Sequence, residues 1–382
     1  MNYSLVKDRR FLPPDDRARV ISNLKVLRKQ LSDEIPAKDA EEHMLLATWN
    51  VRDFGKPEPE RKGYGPRLEE THFYIAEVIS RFDFVAVQEI NELPEWERVV
   101  SILGPDWGWI ATDVTDEALG GNGERLTFAY DRRKVRFRNI AGEIVLPPGA
   151  LVSENVVPKA DDEHAAKADV AGTEVGRQFA RSPFVASFQA GWFRFDICTV
   201  HIYYGKESGP KLQKRIEEIG AIARYFGMRA EEALRQKRSL ILLGDFNIVN
   251  PKHKTMAALM DAGFETAPAL KEARSNIGGD KHYDQIAFRT EPGFLEYTDS
   301  PTPDGKKRAG VFDIFAHVLS EEQFPRYKAK AASTAAGKKK TGDALREYYL
   351  DWRTYQFSDH KPMWLQLKVN DSDRYIESLP RD

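Results

Sequence analysis

The 382-residue sequence contains a single cysteine, Cys198, which excludes an internal disulfide and a cysteine metal cage. It has no run of about 18 apolar residues and no apolar stretch behind its first residues, so we expect neither a membrane span nor a leader. The sequence also has almost no excess of one charge, because 57 Lys and Arg stand against 59 Asp and Glu. The net charge of -2 excludes a globally basic nucleic-acid binder but leaves room for a local patch. These absences predict a cytoplasmic protein.

The composition is that of a folded protein, with 41% hydrophobic and 11% aromatic residues. A length of 382 residues would allow two domains, but a large sandwich of about 250 residues also folds as one unit. We predict an accessory helix and linker over 1–43, one main domain over 44–370 and a tail over 371–382. Within the main domain, the segments 146–178 and 319–350 interrupt the pattern of apolar runs and are predicted to be insertions.

An amphipathic helix is predicted near the start of the chain. Pro13 and Pro14 precede two aspartates, which is typical of a helix start. Apolar residues then recur at helical spacing, at Val20, Leu24, Leu27 and Leu31. The stripe is shorter than the three to four heptads that a coiled coil needs, so packing on the main body is favoured over a dimer zipper.

Short apolar runs rich in aromatic and β-branched residues dominate from Leu45 onward and predict strands. They are LLATW (45–49), FVAVQ (84–88), LTFAY (126–130), FVASF (184–188), FDICTV (195–200), LILLG (240–244), QIAF (285–288) and MWLQL (363–367). Helical spacing recurs around 75–82 and 212–226. Strands outnumber helices and do not alternate with them strictly. The pattern therefore favours two packed sheets with helices outside over a doubly wound parallel sheet.

The two predicted insertions differ in charge. Segment 146–178 opens with Pro147-Pro148-Gly149 and is acidic, whereas segment 319–350 contains KAKAASTAAGKKKTG. Between Phe324 and Gly342 there are six basic residues and no acidic one. We expect both segments to lie on the surface and to be partly mobile. A second basic run comprises Arg132, Arg133, Lys134, Arg136 and Arg138.

Polar residues stand next to the ends of the predicted strands, where a rigid sheet can direct side chains into a cleft. They are Asn50, Gln88, Glu89, His201, Asp245, Asn247, Asp284, Asp359 and His360. Each alone is typical of a turn or a cap, but the set combines oxygen ligands with two histidines. Oxygen ligands suit Mg²⁺ or Mn²⁺, with Ca²⁺ as an alternative. A metal beside histidines that move protons is typical of a phosphoester-cleaving site.

The ordered motifs of this chain resemble those of the endonuclease/exonuclease/phosphatase superfamily, and of deoxyribonuclease I in particular. They are TWNVRDFG, FVAVQEIN, GERLTFAY, VHIYYG, LLGDFNIV, YDQIAF and SDHKPMW, and they span 45–367. The resemblance implies an α/β (α+β) fold, a four-layered sandwich of two mainly antiparallel sheets flanked by helices. It also implies a divalent-metal-dependent phosphoester hydrolase.

The resemblance assigns the metal and water sites residue by residue. Glu89 corresponds to the principal metal carboxylate, with Asn50 beside it, and Asp359 to a further metal or water ligand. Asp245 and Asn247 correspond to the groups that orient the attacking water and hold the phosphate.

Two carboxylate–histidine pairs also follow from the resemblance. Glu124 corresponds to the carboxylate that orients His201, and Asp284 to the partner of His360. Such a carboxylate fixes the tautomer of the ring and raises its pKa. Arg181 corresponds to a phosphate-binding arginine, with an ordinary surface arginine as the alternative. The implied reaction is in-line attack of water on phosphorus, and which histidine donates the proton stays open.

The favoured function is an endonuclease acting on DNA, with RNA as an alternative substrate, because both basic runs could neutralise phosphates. Asn91 stands where the deoxyribonuclease I pattern has a minor-groove arginine, which weakens that comparison. A phosphatase or phosphodiesterase acting on a small phosphoester is the enzyme alternative. A non-catalytic nucleic-acid-binding protein on the same fold is the second alternative. No membrane or protein partner is indicated.

Overall fold

The computed structural model describes residues 1–57, 60–114, 123–145, 181–202, 209–236, 238–248, 250–290 and 296–380, together with the backbone of 152–156 and 173–177. Most of the predicted acidic insertion, 146–178, therefore lies outside the described residues, apart from the hairpin that its two short strands form. Among the helices that are described, none combines the length and apolar character needed to cross a membrane.

Fourteen strands are described, and each of the eight predicted apolar runs lies within one of them. They are β1 His43–Phe54, β2 Phe84–Ile90, β3 Trp107–Ala111, β4 Arg125–Asp131, β5 Val135–Glu143, β6 Val152–Val156, β7 Thr173–Arg177, β8 Phe184–Ala190, β9 Phe193–His201, β10 Ser239–Asp245, β11 Glu265–Thr266, β12 Asp284–Arg289, β13 Ala309–Val311 and β14 Met363–Lys368.

Two six-stranded sheets form the centre of the molecule, in the orders β13-β14-β1-β2-β4-β3 and β11-β12-β10-β9-β8-β5. Each sheet has one parallel pair near its centre, β1 with β2 and β9 with β10. The other pairs in the described part of the sheets are antiparallel. The prediction of two mainly antiparallel sheets is confirmed.

Eight α-helices are described around these sheets. They are α1 Arg17–Glu34, α2 Glu69–Ser80, α3 Leu93–Leu103, α4 Pro210–Arg235, α5 Lys254–Met260, α6 Phe324–Ser333, α7 Gly342–Gln356 and α8 Ser372–Glu377. The helices α1, α2, α3, α6 and α7 share one apolar core with the outer face of the first sheet. The helices α4 and α5 share another with the second sheet, and a third core lies between the sheets. The predicted four-layered sandwich is confirmed.

Alternation along β1 shows how the sequence divides its side chains between these cores. Leu45, Ala47 and Trp49 belong to the core under the helices, whereas Met44 and Leu46 belong to the core between the sheets. Successive strand residues point to opposite faces, so a strand buried on both sides is apolar at nearly every position. This explains why LLATW lacks the polar alternation of a surface strand.

The predicted N-terminal helix packs on the main body. Its stripe of Val20, Leu24, Leu27 and Leu31 is buried in the core under the first sheet. Asn23 on the same helix donates from Nδ2 to Tyr74 Oη at 2.9 Å. Because the stripe is used within the chain, it leaves no apolar seam for the dimer zipper that was the alternative.

The expectation that segment 319–350 is partly mobile is wrong, whereas its place as an insertion in the main domain stays a prediction. The segment forms α6 and most of α7, and Tyr327 and Tyr349 are buried against Trp352 in the core under the first sheet. Tyr327 Oη also accepts a hydrogen bond from Asn23 Nδ2 at 3.0 Å. The sequence pattern did not predict this helix pair, because the buried residues of the pair are aromatic and widely spaced among small and basic residues.

Candidate active site

The predicted site residues converge at one edge of the sandwich. Asn50, Glu89, His201 and Asp245 lie at or near the carboxyl ends of β1, β2, β9 and β10, which are the two parallel pairs. The carboxyl ends of parallel strands share an edge, and ligand sites of α/β folds form there. The two sheets face each other, so their two edges form one cleft.

Antiparallel neighbours bring two more residues to the same edge. Asp284 begins β12 and stands opposite Asp245 in the register with β10. His360 lies just before β14, whose Met363 stands opposite Thr48 of β1. An antiparallel strand begins where its partner ends, so residues preceding β12 and β14 reach the carboxyl ends of β10 and β1.

Glu89 reaches the cleft because the backbone of β2 is irregular there. The register between β2 and β4 shifts between Val87 and Ile90, and Glu89 has φ of 65°. Regular alternation would place Glu89 with Val87 under the helices, so this bulge redirects its side chain. Positive φ is costly for a residue with a Cβ, and such strain is concentrated at functional sites. Asn91 Nδ2 donates to the Glu89 carbonyl at 3.1 Å and supports this conformation.

The end of β10 and the residues that follow it are also held in an uncommon conformation. Gly244 has φ of 130°, and a Cβ there would lie 2.1 Å from the Val200 carbonyl oxygen, so only glycine fits. Asn247 has φ of 51°. Its backbone N–H donates to Asp245 Oδ1 at 2.9 Å and its Nδ2 donates to the Ile202 carbonyl at 2.7 Å. These contacts fix the direction of the Asp245 carboxylate.

The first predicted carboxylate–histidine pair is present. His201 Nδ1 lies 2.8 Å from Glu124 Oε2, and both side chains are 6% exposed. Although burial disfavours the imidazolium, Glu124 and Asp245 raise the pKa of His201 above its ordinary value. Burial also disfavours the Glu124 carboxylate, but His201 and Arg181 hold the pKa of Glu124 well below its usual range. The Glu124 contact leaves Nε2 of His201 facing the cleft.

The second pair is built in the same way from the other side. His360 Nδ1 lies 2.7 Å from Asp284 Oδ2, and the Asp284 side chain is fully buried. Despite burial, the carboxylates of Asp284 and Asp245 raise the pKa of His360 well above its ordinary value. The Asp284 contact fixes the ring, so Nε2 of His360 also faces the cleft.

Both histidines converge on Asp245. Its Oδ2 lies 3.5 Å from His201 Nε2 and 3.6 Å from His360 Nε2. Asn50 Nδ2 donates to the same oxygen at 3.1 Å and to Glu89 Oε1 at 2.8 Å. One carboxylate oxygen therefore stands between two proton-carrying groups, at the centre of the cleft.

The donor set fits a hard cation. Asn50 Oδ1 is buried and has no hydrogen-bond partner among the described residues, although its Nδ2 neighbours two carboxylates. Burial and the Glu124 charge raise the pKa of Glu89, so the site disfavours its own negative charge. Two clusters have ligand atoms within 4.8 Å of one another, Glu89 with Glu124 and His201, and Asp245 with Asp284 and His360. A divalent cation would satisfy the unpaired oxygen and offset the carboxylates.

Asp359 lies at the rim of the cleft rather than in either cluster. Its side chain is 40% exposed, and its Oδ2 lies 3.4 Å from Arg52 Nη1. Its charge still raises the pKa of Glu89 and of His360, so it contributes to the negative potential of the cleft. The assignment of Asp359 as a metal or water ligand stays a prediction.

Arg181 is not a surface arginine. Its Nε and Nη2 donate to the two Glu124 oxygens at 2.6 and 3.2 Å, and its side chain is 17% exposed. This two-point contact orients Glu124, which in turn orients His201. The structure therefore gives Arg181 a carboxylate partner, and its predicted role in phosphate binding stays a prediction.

Several positioning residues escaped sequence reasoning. Ser358 Oγ donates to the Asn50 carbonyl at 2.6 Å and accepts from the His360 backbone N–H at 2.9 Å. Trp49 Nε1 donates to the His360 carbonyl at 2.9 Å. Partly buried Arg67 donates to the carbonyls of Arg52 and Gln356 and so joins the loops on either side of the cleft. The motif SDH contains Ser358, but its spacing alone gives no sign of these contacts.

Arg215 on α4 is a further residue of this kind. It is fully buried, and its Nη1 donates to the Asn247 carbonyl at 2.8 Å. The hydrogen bond holds the residue with positive φ whose N–H directs Asp245. Arg215 therefore positions residues of the cleft through Asn247 and does not line the cleft itself.

The second basic run lies at the opposite edge of the sandwich. In the register of β2 with β4, Ile90 pairs with Arg125 and Phe84 pairs with Tyr130, so Arg132 follows the end of β4 that is remote from Glu89. The prediction that this run neutralises phosphates stays a prediction, and its position is remote from the cleft.

Comparison with known proteins adds one informative match. The chain is 26% identical over 240 residues to a protein named deoxyribonuclease from Thioalkalivibrio sp. (strain K90mix). The predicted resemblance to a deoxyribonuclease is confirmed. The match covers 61% of this chain and 53% of the deoxyribonuclease, so it spans about half the length of that relative. No family model matches the sequence.

The solved structures that match this chain are distant from it in sequence. An endonuclease/exonuclease/phosphatase family protein from Bacteroides thetaiotaomicron has a TM-score of 0.48 at 14% identity, covering 86% of this chain and 98% of its own. The human Nocturnin catalytic domain has a TM-score of 0.47 at 12% identity, covering 88% of this chain and 98% of its own.

Proposed function

We propose that this protein is a divalent-metal-dependent phosphodiesterase, and specifically an endonuclease that hydrolyses DNA. The observation that carries the proposal is the convergence of two carboxylate-held histidines on one Asp245 oxygen, at 3.5 and 3.6 Å. Beside that oxygen lie the carboxylate of Glu89 and the unpaired oxygen of Asn50. Proton-transfer groups next to a cation site are what phosphodiester hydrolysis needs.

The residues of the chain have distinct roles in this proposal. Asp245 Oδ2 is placed to accept a proton from the attacking water, since it is the acceptor at the centre of the cleft. His201 and His360 present Nε2 toward the reacting phosphate, where one orients the phosphate and the other donates a proton to the leaving oxygen. Asn247 holds Asp245 in direction and carries its own amide beside the phosphate.

Glu89 and Asn50 would hold the cation, with Asp359 as a further ligand or a ligand to water. Mg²⁺ or Mn²⁺ suits this oxygen set better than Ca²⁺, which takes six to eight ligands. When bound, the cation neutralises charge that develops on the phosphate oxygens. The protein contributes the water acceptor, the proton donor and the orientation of both.

A DNA substrate is proposed from two considerations. The curated relative is named a deoxyribonuclease, and the chain spans about half of it. The turn between α6 and α7 also carries exposed lysines on the helical side of the first sheet. Exposed lysines neutralise phosphates independently of sequence.

The test is a metal-dependent assay on four substrates in parallel: supercoiled plasmid, single-stranded DNA, RNA and a panel of phosphomonoesters. We expect nicking of the plasmid with Mg²⁺ or Mn²⁺, loss of nicking with EDTA, and recovery when metal is restored. The protein carrying both His201→Ala and His360→Ala, purified identically, controls for contaminating nucleases.

Other outcomes would redirect the proposal. Cleavage that persists in EDTA would contradict the cation site at Glu89. Hydrolysis confined to phosphomonoesters would favour the phosphatase alternative. DNA binding without hydrolysis under any metal would favour the non-catalytic binding protein.

Arg215→Lys is expected to lower kcat about 10- to 100-fold with little change in KM, because a misplaced Asp245 loses alignment with the histidines. Lysine keeps the buried positive charge but cannot reproduce the guanidinium contact with the Asn247 carbonyl. The matched control is Arg224→Lys, which changes an exposed arginine on the same helix and should keep the wild-type kcat. Steady-state kinetics of the three proteins measure the effect. A wild-type kcat in Arg215→Lys would show that Arg215 does not position Asp245.

A further inference from the structure

A group of lysines projects from the turn between α6 and α7. Lys338 and Lys339 are exposed and Lys340 is partly exposed. Within the described residues none of the three makes an ion pair, and Lys340 instead lies 5.8 Å from the centre of the Tyr348 ring. We call these three residues the lysine turn. The helices on either side are packed in the core, so the turn has a fixed place on the surface.

The lysine turn rests on the loop that follows β1. Ala336 N donates to the Gly63 carbonyl at 3.0 Å. Gly65 has φ of 76°, and a Cβ there would lie 3.1 Å from Thr334 Cγ2. The same loop contains Lys62, which is also exposed. The residues just before the lysine turn are therefore held against the loop that follows β1.

A column of stacked planar groups connects the lysine turn with the cleft. The Tyr348 and Tyr64 rings are 5.4 Å apart at 14°, and Tyr64 and Tyr355 are 3.9 Å apart at 16°. The Arg52 guanidinium lies 3.7 Å from the centre of the Tyr355 ring. Lys340 stands at one end of the column and Arg52 at the other.

The cleft end of the column is Asp359, whose Oδ2 lies 3.4 Å from Arg52 Nη1. The two ring pairs stack at 14° and 16°, so the column extends from Asp359 to Lys340 in five successive steps of 3.4 to 5.8 Å. A strand with one phosphate per ~3.4 Å would follow such a column over several nucleotides. A small phosphoester bound at Asp245 cannot touch the lysine turn. Only an extended anionic chain can occupy both.

We propose that the lysine turn binds the phosphate backbone of a nucleic-acid strand at a distance of several nucleotides from the phosphate held in the cleft. The inference rests on the proposed function, and it names a polymer as the substrate class. Lysine ammonium groups are point charges that contact phosphate and carry no information about base identity. The surface therefore supplies affinity and register along the strand without sequence preference.

The test compares the wild-type protein with the triple variant Lys338→Gln, Lys339→Gln, Lys340→Gln by fluorescence anisotropy. The probes are labelled single-stranded DNAs of 4 and 16 nucleotides, in EDTA, over a range of KCl concentrations. For the 16-mer, losing three phosphate contacts should reduce the slope of log K against log salt by about 2. The ratio of 16-mer to 4-mer affinity should fall, because the 4-mer is too short to reach the turn from the cleft.

The matched control is the variant Arg132→Gln, Arg136→Gln, which removes exposed charges at the opposite edge of the sandwich. It should bind the 16-mer with the wild-type salt slope. An unchanged slope in the lysine variant would overturn the proposal. An equal reduction of the slope in both variants would also overturn it. Wild-type hydrolysis of bis(p-nitrophenyl) phosphate, assayed on the same preparation, tests the proposed function separately. Hydrolysis with an unchanged slope would reject the lysine turn alone.

Discussion

His360→Ala is expected to lower kcat by about two to four orders of magnitude, and His201→Ala by a similar factor, because each removes a positioned proton-transfer group. Each histidine is held by a carboxylate at Nδ1 and presents Nε2 to the Asp245 oxygen at 3.5 or 3.6 Å. Alanine leaves nothing at that position that could donate or accept a proton. The measurement is plasmid nicking with Mg²⁺ under steady-state conditions.

A histidine far from the cleft provides the matched control. His43 begins β1 at the opposite edge, and its Nδ1 lies 2.9 Å from Asp39 Oδ2, so it forms the same kind of pair. His43→Ala should keep wild-type turnover. Circular dichroism and thermal unfolding of all three variants separate a chemical loss from a folding loss. A near wild-type rate in either cleft variant would remove that histidine from the proposed reaction.

Replacing the carboxylate partner of a cleft histidine should have two separate effects on that histidine. Asp284→Asn keeps the shape of the side chain but removes the charge that raises the pKa of His360. Losing the carboxylate also frees the ring to take the other tautomer. In the proposed reaction, Asp284 and Glu124 therefore hold and orient the histidines, and the histidines carry the proton.

Strand-rich architecture and the residues at its edge were accessible from the sequence, because both follow from strand periodicity. LLATW and LILLG are apolar at nearly every position, as strands buried on both faces must be, and each is followed by a polar residue. Since β1 and β10 run toward the same edge, Asn50 and Asp245 meet there. The spacing of motifs and the rules of strand pairing suffice for that much.

Glu89 shows where periodicity fails. Alternation alone would place its side chain under the helices beside Val87, and only the bulge with φ of 65° turns it into the cleft. A bulge of this kind depends on tertiary contacts, such as the one from Asp53 N to Glu89 Oε2 at 2.7 Å. Short-range patterns carry no signal for it.

Long-range partners were inaccessible for a related reason. Arg215 stands in an ordinary amphipathic helix, and nothing in its neighbourhood in the sequence indicates that it reaches Asn247, 32 residues away. Segment 319–350 shows the opposite error, because its run of lysines and alanines predicted a mobile loop where the structure has a packed helix pair. The aromatic residues Tyr327 and Tyr349 are fully buried, and burial of these rings packs the helix pair on the core.

Glu89→Gln is expected to weaken binding of Mg²⁺ or Mn²⁺ by about 100-fold or more, since Mg²⁺ sites in proteins depend on one or two carboxylates. The side chain keeps its size, so the fold should persist, while the site loses its principal negative ligand. Isothermal titration calorimetry with Mn²⁺ measures the affinity directly and does not depend on turnover. A parallel readout is the thermal midpoint, because a cation that binds only the folded protein raises it.

The matched control for this substitution is Glu97→Gln, which changes an exposed glutamate on α3 outside the cleft. It should show the wild-type affinity and the wild-type rise in thermal midpoint with Mn²⁺. Glu89→Gln should show little rise, even though its midpoint without metal stays close to wild type. Wild-type Mn²⁺ affinity in Glu89→Gln would move the cation away from Glu89 and toward the second cluster of Asp245, Asp284 and His360, where Asp245→Asn would then be the decisive variant.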